Sequence, residues 1–458
     1  MNDFELDCVW HEGFQQGPFQ LYPYICFTYG ERSMLIRRET GTTLFLSAEA
    51  AERLSAGQVE EQLRYRLIAN GFARVPGVLP IQDNSKVIIP SFFLIDMTNQ
   101  CNLNCAYCLR VPNDQGKSIT EKMVDDICEF IWNHCRLHQL KHITIQPWGG
   151  EPLLQLKQII RIRQWFNQHN DVDVNITVET NGTLLNEKTL TELRHHHIAI
   201  SVSFDGPTDL HDLQRRDWGG NPTSERVLHG IELARKAGYD DLGGICVLTD
   251  HSIGRIADIL DYTENVLKMK GVKLNLMHQP SYPCDGVRAL SHDEILQIAE
   301  EIINSVRVIR SKGSMLHESC TADRLNNLLS KSNANICHSC GCCGGRRMVS
   351  FDMDGNIYPC ELTDWPDECL GNIAEGRDLC DMVEKAIETH PYFCEKRKPE
   401  CERCPWWFYC RGGCSSAVKY INQCGNGVDE CECSLNLAMY PLLTKLLLEN
   451  EINMKGWL

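Results

Sequence analysis

A chain of 458 residues, 43% hydrophobic and 23% charged, has the balance of a soluble globular protein with room for two or three domains. Its 45 basic against 61 acidic side chains leave a net charge of −16, which argues against a general nucleic-acid or anionic-membrane binder and suits a neutral or basic peptide partner. No apolar run approaches the roughly 20 residues of a membrane span, and Met1 to Asp7 carry no export signal, so a cytoplasmic location is expected. In that reducing compartment 25 cysteines point to metal rather than disulfides, and the sixteen from Cys320 onward suggest a separate metal-binding module.

In chain order, residues 1–85 read as strands at Gln20–Thr28, Met34–Arg38 and Thr43–Leu46, then helices at Ser47–Leu54 and Val59–Asn70. Residues 86–285 alternate strand and helix. The strands are Phe92–Asp96, His142–Gln146, Val172–Glu179, Ile198–Ser203, Leu242–Leu248 and Val272–Met277. Helices at Ser118–Cys135, Leu153–Asn167, Thr223–Lys236 and Gly254–Lys268 are long enough for parallel crossovers, and six such units make a partial (β/α)6 barrel of the α/β class. Residues 286–335 form a helical connection after the turn-rich Pro280–Cys284, with a helix at Asp293–Ser311, and residues 336–458 are cysteine-rich.

The first expected barrel strand leads into Cys101-Asn-Leu-Asn-Cys105-Ala-Tyr107-Cys108. Three thiolates on a loop at the carboxyl end of a strand can hold three irons of a cubane and leave the fourth open to a reacting ligand. Trp148-Gly149-Gly150-Glu151-Pro152 follows the second strand, Glu179-Thr180-Asn181-Gly182 the third and Ser203-Phe-Asp205-Gly206 the fourth, with Arg215 and Arg216 just beyond. In this order the segments resemble the radical S-adenosylmethionine (radical SAM) superfamily. The resemblance implies one [4Fe-4S] cluster on Cys101, Cys105 and Cys108 and a cofactor site at Tyr107, Gly149, Gly150, Glu151, Thr180, Asn181, Ser203, Asp205 and Arg215. Glu151 would receive the methionine ammonium, Ser203 and Asp205 the ribose hydroxyls, and Arg215 the carboxylate.

Further on, Cys343, Gly355 and Cys360 precede Cys401-x2-Cys404-x5-Cys410-x3-Cys414 and a last cysteine near residue 432. This run resembles the SPASM domain of radical SAM enzymes, implying two auxiliary [4Fe-4S] clusters, three in all. One would use Cys337, Cys343, Cys360 and Cys414, with Cys340 and Cys342 as alternatives to Cys337. The other would use Cys401, Cys404, Cys410 and Cys433, with Cys431 as the alternative to Cys433. Zinc at Cys401-x2-Cys404 and its neighbours is the competing reading.

The strands-then-helices order of residues 1–85 is similar to the winged-helix-like (RRE-like) domain with which peptide-modifying enzymes bind a leader. The resemblances together imply oxidative modification of a ribosomally made precursor peptide, most simply a thioether or carbon–carbon cross-link, with flavodoxin or ferredoxin as reductant. His211-Asp-Leu-Gln-Arg215-Arg216 also resembles anaerobic sulfatase-maturating enzymes, so formylglycine formation is the alternative. A non-catalytic iron–sulfur carrier would have no use for Gly149–Glu151. No general acid or base stands out: Asp205, Arg215, Arg216, Asp217 and the residues near His278 read as cofactor contacts or surface groups.

Overall fold

The computed structural model describes residues 6–76, 88–110, 116–169, 171–278, 286–330, 337, 341–363, 366–393, 397–422 and 427–449. Pro280–Cys284, Cys340, Cys394 and Cys424 lie outside the described residues. No helix of the described residues is long and apolar enough to cross a membrane.

The N-terminal unit has two sheets. β1 (Asp7–His11), β4 (Tyr24–Tyr29), β5 (Arg32–Ile36) and β6 (Thr43–Ser47) form an antiparallel sheet in the order β1-β4-β5-β6. β2 (Phe14–Gln16), β3 (Phe19–Leu21) and β7 (Ala73–Arg74) form the other, and α1 (Ala48–Ser55) and α2 (Glu61–Ala69) complete the unit. The single strand expected over Gln20–Thr28 is split at Pro23, which has no N–H to give a ladder. Both faces of the larger sheet are buried. Cys26, Leu35, Leu44 and Leu46 pack with Leu54 and Leu67 of α1 and α2, whereas Ile25, Phe27, Met34 and Ile36 pack toward the C-terminal part of the chain. Phe27 stacks on Trp406 with centroids 5.0 Å apart, and the Tyr409 hydroxyl donates to the Gly41 carbonyl at 2.5 Å.

The barrel strands match the alternation of the sequence closely. They are β8 (Phe92–Thr98), β9 (His142–Gly149), β10 (Asp173–Thr180), β11 (Ala199–Ser203), β12 (Gly243–Leu248) and β13 (Gly271–Leu276), all parallel to their neighbours. α3 (Glu121–Leu137), α4 (Leu156–Asn167), α5 (Glu187–His195), α6 (Thr208–Gln214), α7 (Ser224–Lys236) and α8 (Ile256–Asp261) connect them. One expected helix differs: after α8 the chain widens into a π turn over Tyr262–Val266, where the Thr263 hydroxyl donates to the Ile259 carbonyl at 2.7 Å. Such back-bonding competes with the regular ladder.

Parity divides each strand. Phe93, Ile95, Met97, Ile143, Ile145, Val174, Ile176, Val178, Ile200 and Val202 share one core with the helices. Residues of the opposite parity, among them Asp96, Gln146, Glu179, Ser203 and Lys273, belong to the other face of the sheet. One face is therefore apolar and the other is rich in polar groups.

Beyond the six parallel strands the sheet continues. α9 (His292–Ser311), opened by a Ser291–Glu294 capping box, leads to β14 (His317–Glu318) beside β13 and then to α10 (Ser319–Leu328). At the other edge β15 (Met348–Phe351) runs parallel to β8, followed by antiparallel β16 (Asn356–Tyr358) and β17 (Gly371–Asn372). The whole is a ten-stranded mixed sheet, so the first part of the cysteine-rich region extends the barrel sheet across the boundary expected at residue 336. α11 (Leu379–Thr389), α12 (Trp407–Cys410), α13 (Ser415–Asn422) and α14 (Glu430–Leu448) complete the chain. α14 packs on α9 and α10 through Leu435, Met439 and Leu443, each fully buried side chain of this kind contributing roughly 1.5–3 kcal/mol.

Candidate functional site

The cysteine loop leaves the carboxyl end of β8 and is held by backbone pairing on two sides. On one side, Gly150 N–H donates to the Thr98 carbonyl at 2.7 Å and Glu151 N–H to the Gln100 carbonyl at 2.8 Å. A Cβ on Gly149 would overlap the Thr98 carbonyl oxygen and one on Gly150 the Gln100 carbonyl oxygen, so the glycine pair is required by this close approach. On the other side, Asn104 N–H donates to the Arg216 carbonyl and Ala106 N–H to the Gln214 carbonyl, both at 2.8 Å, and Trp218 Nε1 donates to the Cys101 carbonyl at 2.8 Å. Burial pushes the Cys101 and Cys105 thiols up to about 11 and about 12, and Cys108 is raised for the same reason. Each thiol also feels at least one of the others or the Arg215 charge. Three half-buried thiols so gathered stay protonated unless a metal takes the protons' place, and this donor set fits an iron–sulfur cluster.

Glu151 is almost completely buried. Its carboxylate accepts from Thr180 Oγ1 at 2.7 Å, Asn181 N–H at 2.8 Å and Leu153 N–H at 3.0 Å, joining the ends of β9 and β10. A carboxylate has about four acceptor positions, so a place remains for an ammonium. Asn181 Nδ2 also donates to Asn102 Oδ1 at 2.8 Å and approaches Cys101 Sγ at 3.9 Å.

Asp205, fully buried, is the hub of a second network. Oδ2 accepts from the Tyr107 hydroxyl at 2.6 Å, Arg215 Nε at 2.9 Å and Gln214 Nε2 at 3.3 Å, while Oδ1 accepts from Val247 N–H at 3.0 Å. Asp205, expected to meet ribose, thus spends its carboxylate on protein donors, and Arg215, expected to meet the cofactor carboxylate, is paired with it. Together they fix Tyr107, whose ring lies 5.3 Å beneath the Arg215 guanidinium, and with it the turn carrying Cys105 and Cys108. Ser203 is half-buried at the end of β11. Arg216 Nε donates to the Asp212 carbonyl and Asp217 pairs with Arg226, both as outer, exposed contacts.

Residues that sequence patterns did not single out complete the polar face. Burial raises the Glu179 carboxyl, opposed by the nearby Lys273 charge and a hydrogen bond from Gln146. Burial pushes Glu361, the neighbour of Cys360, up to about 7, with Cys337, Glu179 and Lys273 in electrostatic reach. Glu179, Lys273 and Glu361 are brought within electrostatic reach of one another from three distant stretches of chain. The alternation of β10 and β13 is the signal that could have found Glu179 and Lys273, whereas nothing local marks Glu361.

The C-terminal thiols form two groups. Cys337 Sγ lies 3.6 Å from Cys343 Sγ, and their contact together with burial raises the Cys343 thiol. Cys342 meets the Tyr392 hydroxyl at 3.2 Å, and that hydroxyl lies 3.7 Å from Cys360 Sγ. Burial raises Cys414, with the Cys342 and Cys360 thiols adding to the effect. Cys337, Cys342, Cys343, Cys360 and Cys414 therefore gather, one more than a four-iron cluster needs. In the second group burial pushes Cys410 up to about 12, with Cys404 and Cys433 nearby, and Cys433 up to about 11, with Cys401 and Cys404 nearby. Cys431 faces the carboxylates Asp429, Glu432 and Glu430 instead.

Residues 95–263 match the family model of the radical SAM superfamily. The cysteine-type anaerobic sulfatase-maturating enzyme of Clostridium perfringens is 26% identical over 372 residues, which are 76% of this chain and 92% of that enzyme. Among solved structures, anSMEcpe with bound AdoMet superposes with a TM-score of 0.68 at 21% identity, covering 80% of this chain and 98% of that one. Streptococcus suis SuiB bound to its precursor peptide SuiA superposes with a TM-score of 0.55 at 14% identity, covering 87% and 96%. These likenesses carry the fold, and the family match falls on the strands that present the cysteine loop, Gly149–Glu151 and Asp205. Residues 95–263 of this chain form a radical SAM superfamily domain.

Proposed function

We propose that this enzyme oxidatively modifies a ribosomally synthesised precursor peptide, forming a thioether or carbon–carbon cross-link. The supporting observation is the N-terminal unit. The sulfatase-maturating relative matches nearly its whole length to about three quarters of this chain, leaving room for an additional element. Here β1 is the outer strand of its sheet, with Val9 and Trp10 51% and 39% exposed, whereas Thr43 N–H on β6 is already taken by Ser330 Oγ at 2.9 Å. An exposed edge with apolar side chains suits a leader peptide added as a strand, the role of an RRE-like domain.

In this reading Cys101, Cys105 and Cys108 hold the cofactor-binding cluster, and Glu151 orients S-adenosylmethionine through its remaining acceptor position, with Ser203 at the ribose. The bound cofactor supplies one-electron cleavage and hydrogen-atom abstraction. Asp205 and Arg215 keep the loop in place, and Tyr107 shields it. Gln146, Glu179, Lys273 and Glu361 meet the peptide, and the two carboxyls and the amine can move a proton. The C-terminal region, SPASM-like, holds two auxiliary clusters through Cys343, Cys360, Cys414 and Cys337 or Cys342, and through Cys401, Cys404, Cys410 and Cys433. A ferredoxin or flavodoxin is the reductant. Formylglycine formation is the second reading, favoured by the extent of the match to the sulfatase-maturating enzyme.

Mass spectrometry after anaerobic reconstitution tests this, with S-adenosylmethionine, dithionite and a cysteine-containing peptide encoded beside the gene. A product lighter by two hydrogens, bridged by tandem fragmentation, is expected. Conversion of a sulfatase-motif peptide alone would transfer the assignment to the second reading.

A further inference from the structure

Away from the cysteine loop, at the amino end of β8, the chain brings together two histidines and a cysteine that the proposed reaction does not use. His134 and His138 lie one helical turn apart near the end of α3, with ring centroids 4.8 Å apart. Cys380 lies in the first turn of α11. One nitrogen from each ring and Cys380 Sγ all lie within 4.8 Å of one another.

The hydrogen bonds around the rings decide which nitrogens are available. His134 Nε2 is 2.9 Å from the Pro90 carbonyl oxygen, and His138 Nε2 is 3.0 Å from Asp378 Oδ2. Both partners are acceptors, so both Nε2 atoms carry the proton and each Nδ1 keeps a lone pair. His134 is only 3% exposed, and its Nδ1 is buried without a hydrogen-bond partner, an arrangement a core histidine normally avoids. A carbonyl on one ring and a carboxylate on the other are the outer contacts that orient metal-ligating imidazoles. Two histidines spaced i, i+4 on a helix present their nitrogens to one point.

We infer that His134, His138 and Cys380, each through one donor atom, form a zinc site. A thiolate with two imidazoles suits borderline-soft Zn2+, whereas a four-iron cluster takes thiolates. Zinc displaces the Cys380 proton, which the thiol now donates to the Ile88 carbonyl at 3.2 Å. Asp378 is occupied: Oδ1 caps α11 by accepting from Cys380 N–H at 2.9 Å and Asp381 N–H at 3.2 Å, and Oδ2 holds His138. The fourth position is open to solvent where His138 and Asp378 are 22% and 15% exposed. The site is roughly 20 Å from the cysteine loop, by the rise of the seven residues of β8. It is a structural clamp joining α11 to α3 and to the approach of β8.

Zinc K-edge absorption reads this site in the full chain without interference from iron. The iron–sulfur-reconstituted enzyme is incubated with zinc sulfate and desalted. About one zinc per chain is expected, with a single sulfur at about 2.3 Å and nitrogen or oxygen at about 2.0–2.1 Å. Cys380→Ser and His138→Gln are expected to lose that zinc, with the iron count and circular dichroism unchanged. An all-sulfur zinc shell, no retained zinc in the wild type, or undiminished zinc in the folded variants would overturn the assignment.

Discussion

The cysteine loop after β8 and the cysteine groups of the C-terminal region present thiols by different means. The first holds three cysteines in a scaffold of other residues: glycines that admit a neighbouring backbone, a buried Asp205–Arg215 pair, and loop carbonyls taken by Trp218 and Glu151. The second relies on abundance, gathering five thiols around Cys343 and Cys360 on short turns. A scaffolded site should be most sensitive at residues that never touch metal, and an abundant one should tolerate the loss of a surplus ligand.

The strongest test removes Asp205. Asp205→Ala leaves the 6% exposed Arg215 without its carboxylate, and uncompensated buried charge costs about 3–5 kcal/mol. Urea unfolding should show this loss, with Asp205→Asn less affected; a variant as stable as the wild type would remove the hub from the account.

A smaller effect comes from pH. His211, fully buried beside Asp205 N–H, is held down to about 4 by burial, against 6.5 when unfolded. The unfolded chain then binds the proton more readily between those values, so stability is complete above about pH 6.5 and falls as pH drops toward 4. The loss is on the order of 2–3 kcal/mol. His211→Gln should flatten the unfolding free energy between pH 7 and pH 5.

Gly150→Ala should cost about 1–3 kcal/mol through overpacking against the Gln100 carbonyl. Production of 5′-deoxyadenosine should fall with it, since the cysteine loop must shift. Full production at wild-type stability would show that the close approach is dispensable.

The smallest effect belongs to the abundant region. Cys431→Ser, whose thiol is influenced by carboxylates, should leave the iron count unchanged, whereas Cys433→Ser, whose thiol is influenced by Cys401 and Cys404, should lower it. The reverse result would exchange the two assignments and blur the contrast between scaffold and abundance.

The barrel strands were legible because alternate residues such as Val174, Ile176 and Val178 must meet helices while Glu179 must not. The cysteine loop and Gly149–Glu151 were legible because their chemistry is packed into short segments. Resemblance favoured Cys433 over Cys431, and Cys433 lies within electrostatic reach of Cys401 and Cys404. The short strands β1, β2, β3 and β7 were not legible, since pairs of two to five residues carry too little periodicity. Nor was the Thr263 distortion after α8, which depends on one hydroxyl choosing a carbonyl.

Composition, alternation and spacing by themselves determined a barrel of parallel strands with a three-cysteine loop at a strand end, because strand faces and motif spacings are local properties of the chain. Tertiary structure alone decided that Asp205 serves Arg215 and Tyr107 and that Glu361 joins Glu179 and Lys273. It likewise decided that the C-terminal region continues the barrel sheet through β15 and that His134, His138 and Cys380 converge. Those pairings join residues far apart in sequence, and their burial and charge environment exist only once the sheet has closed the distance between them.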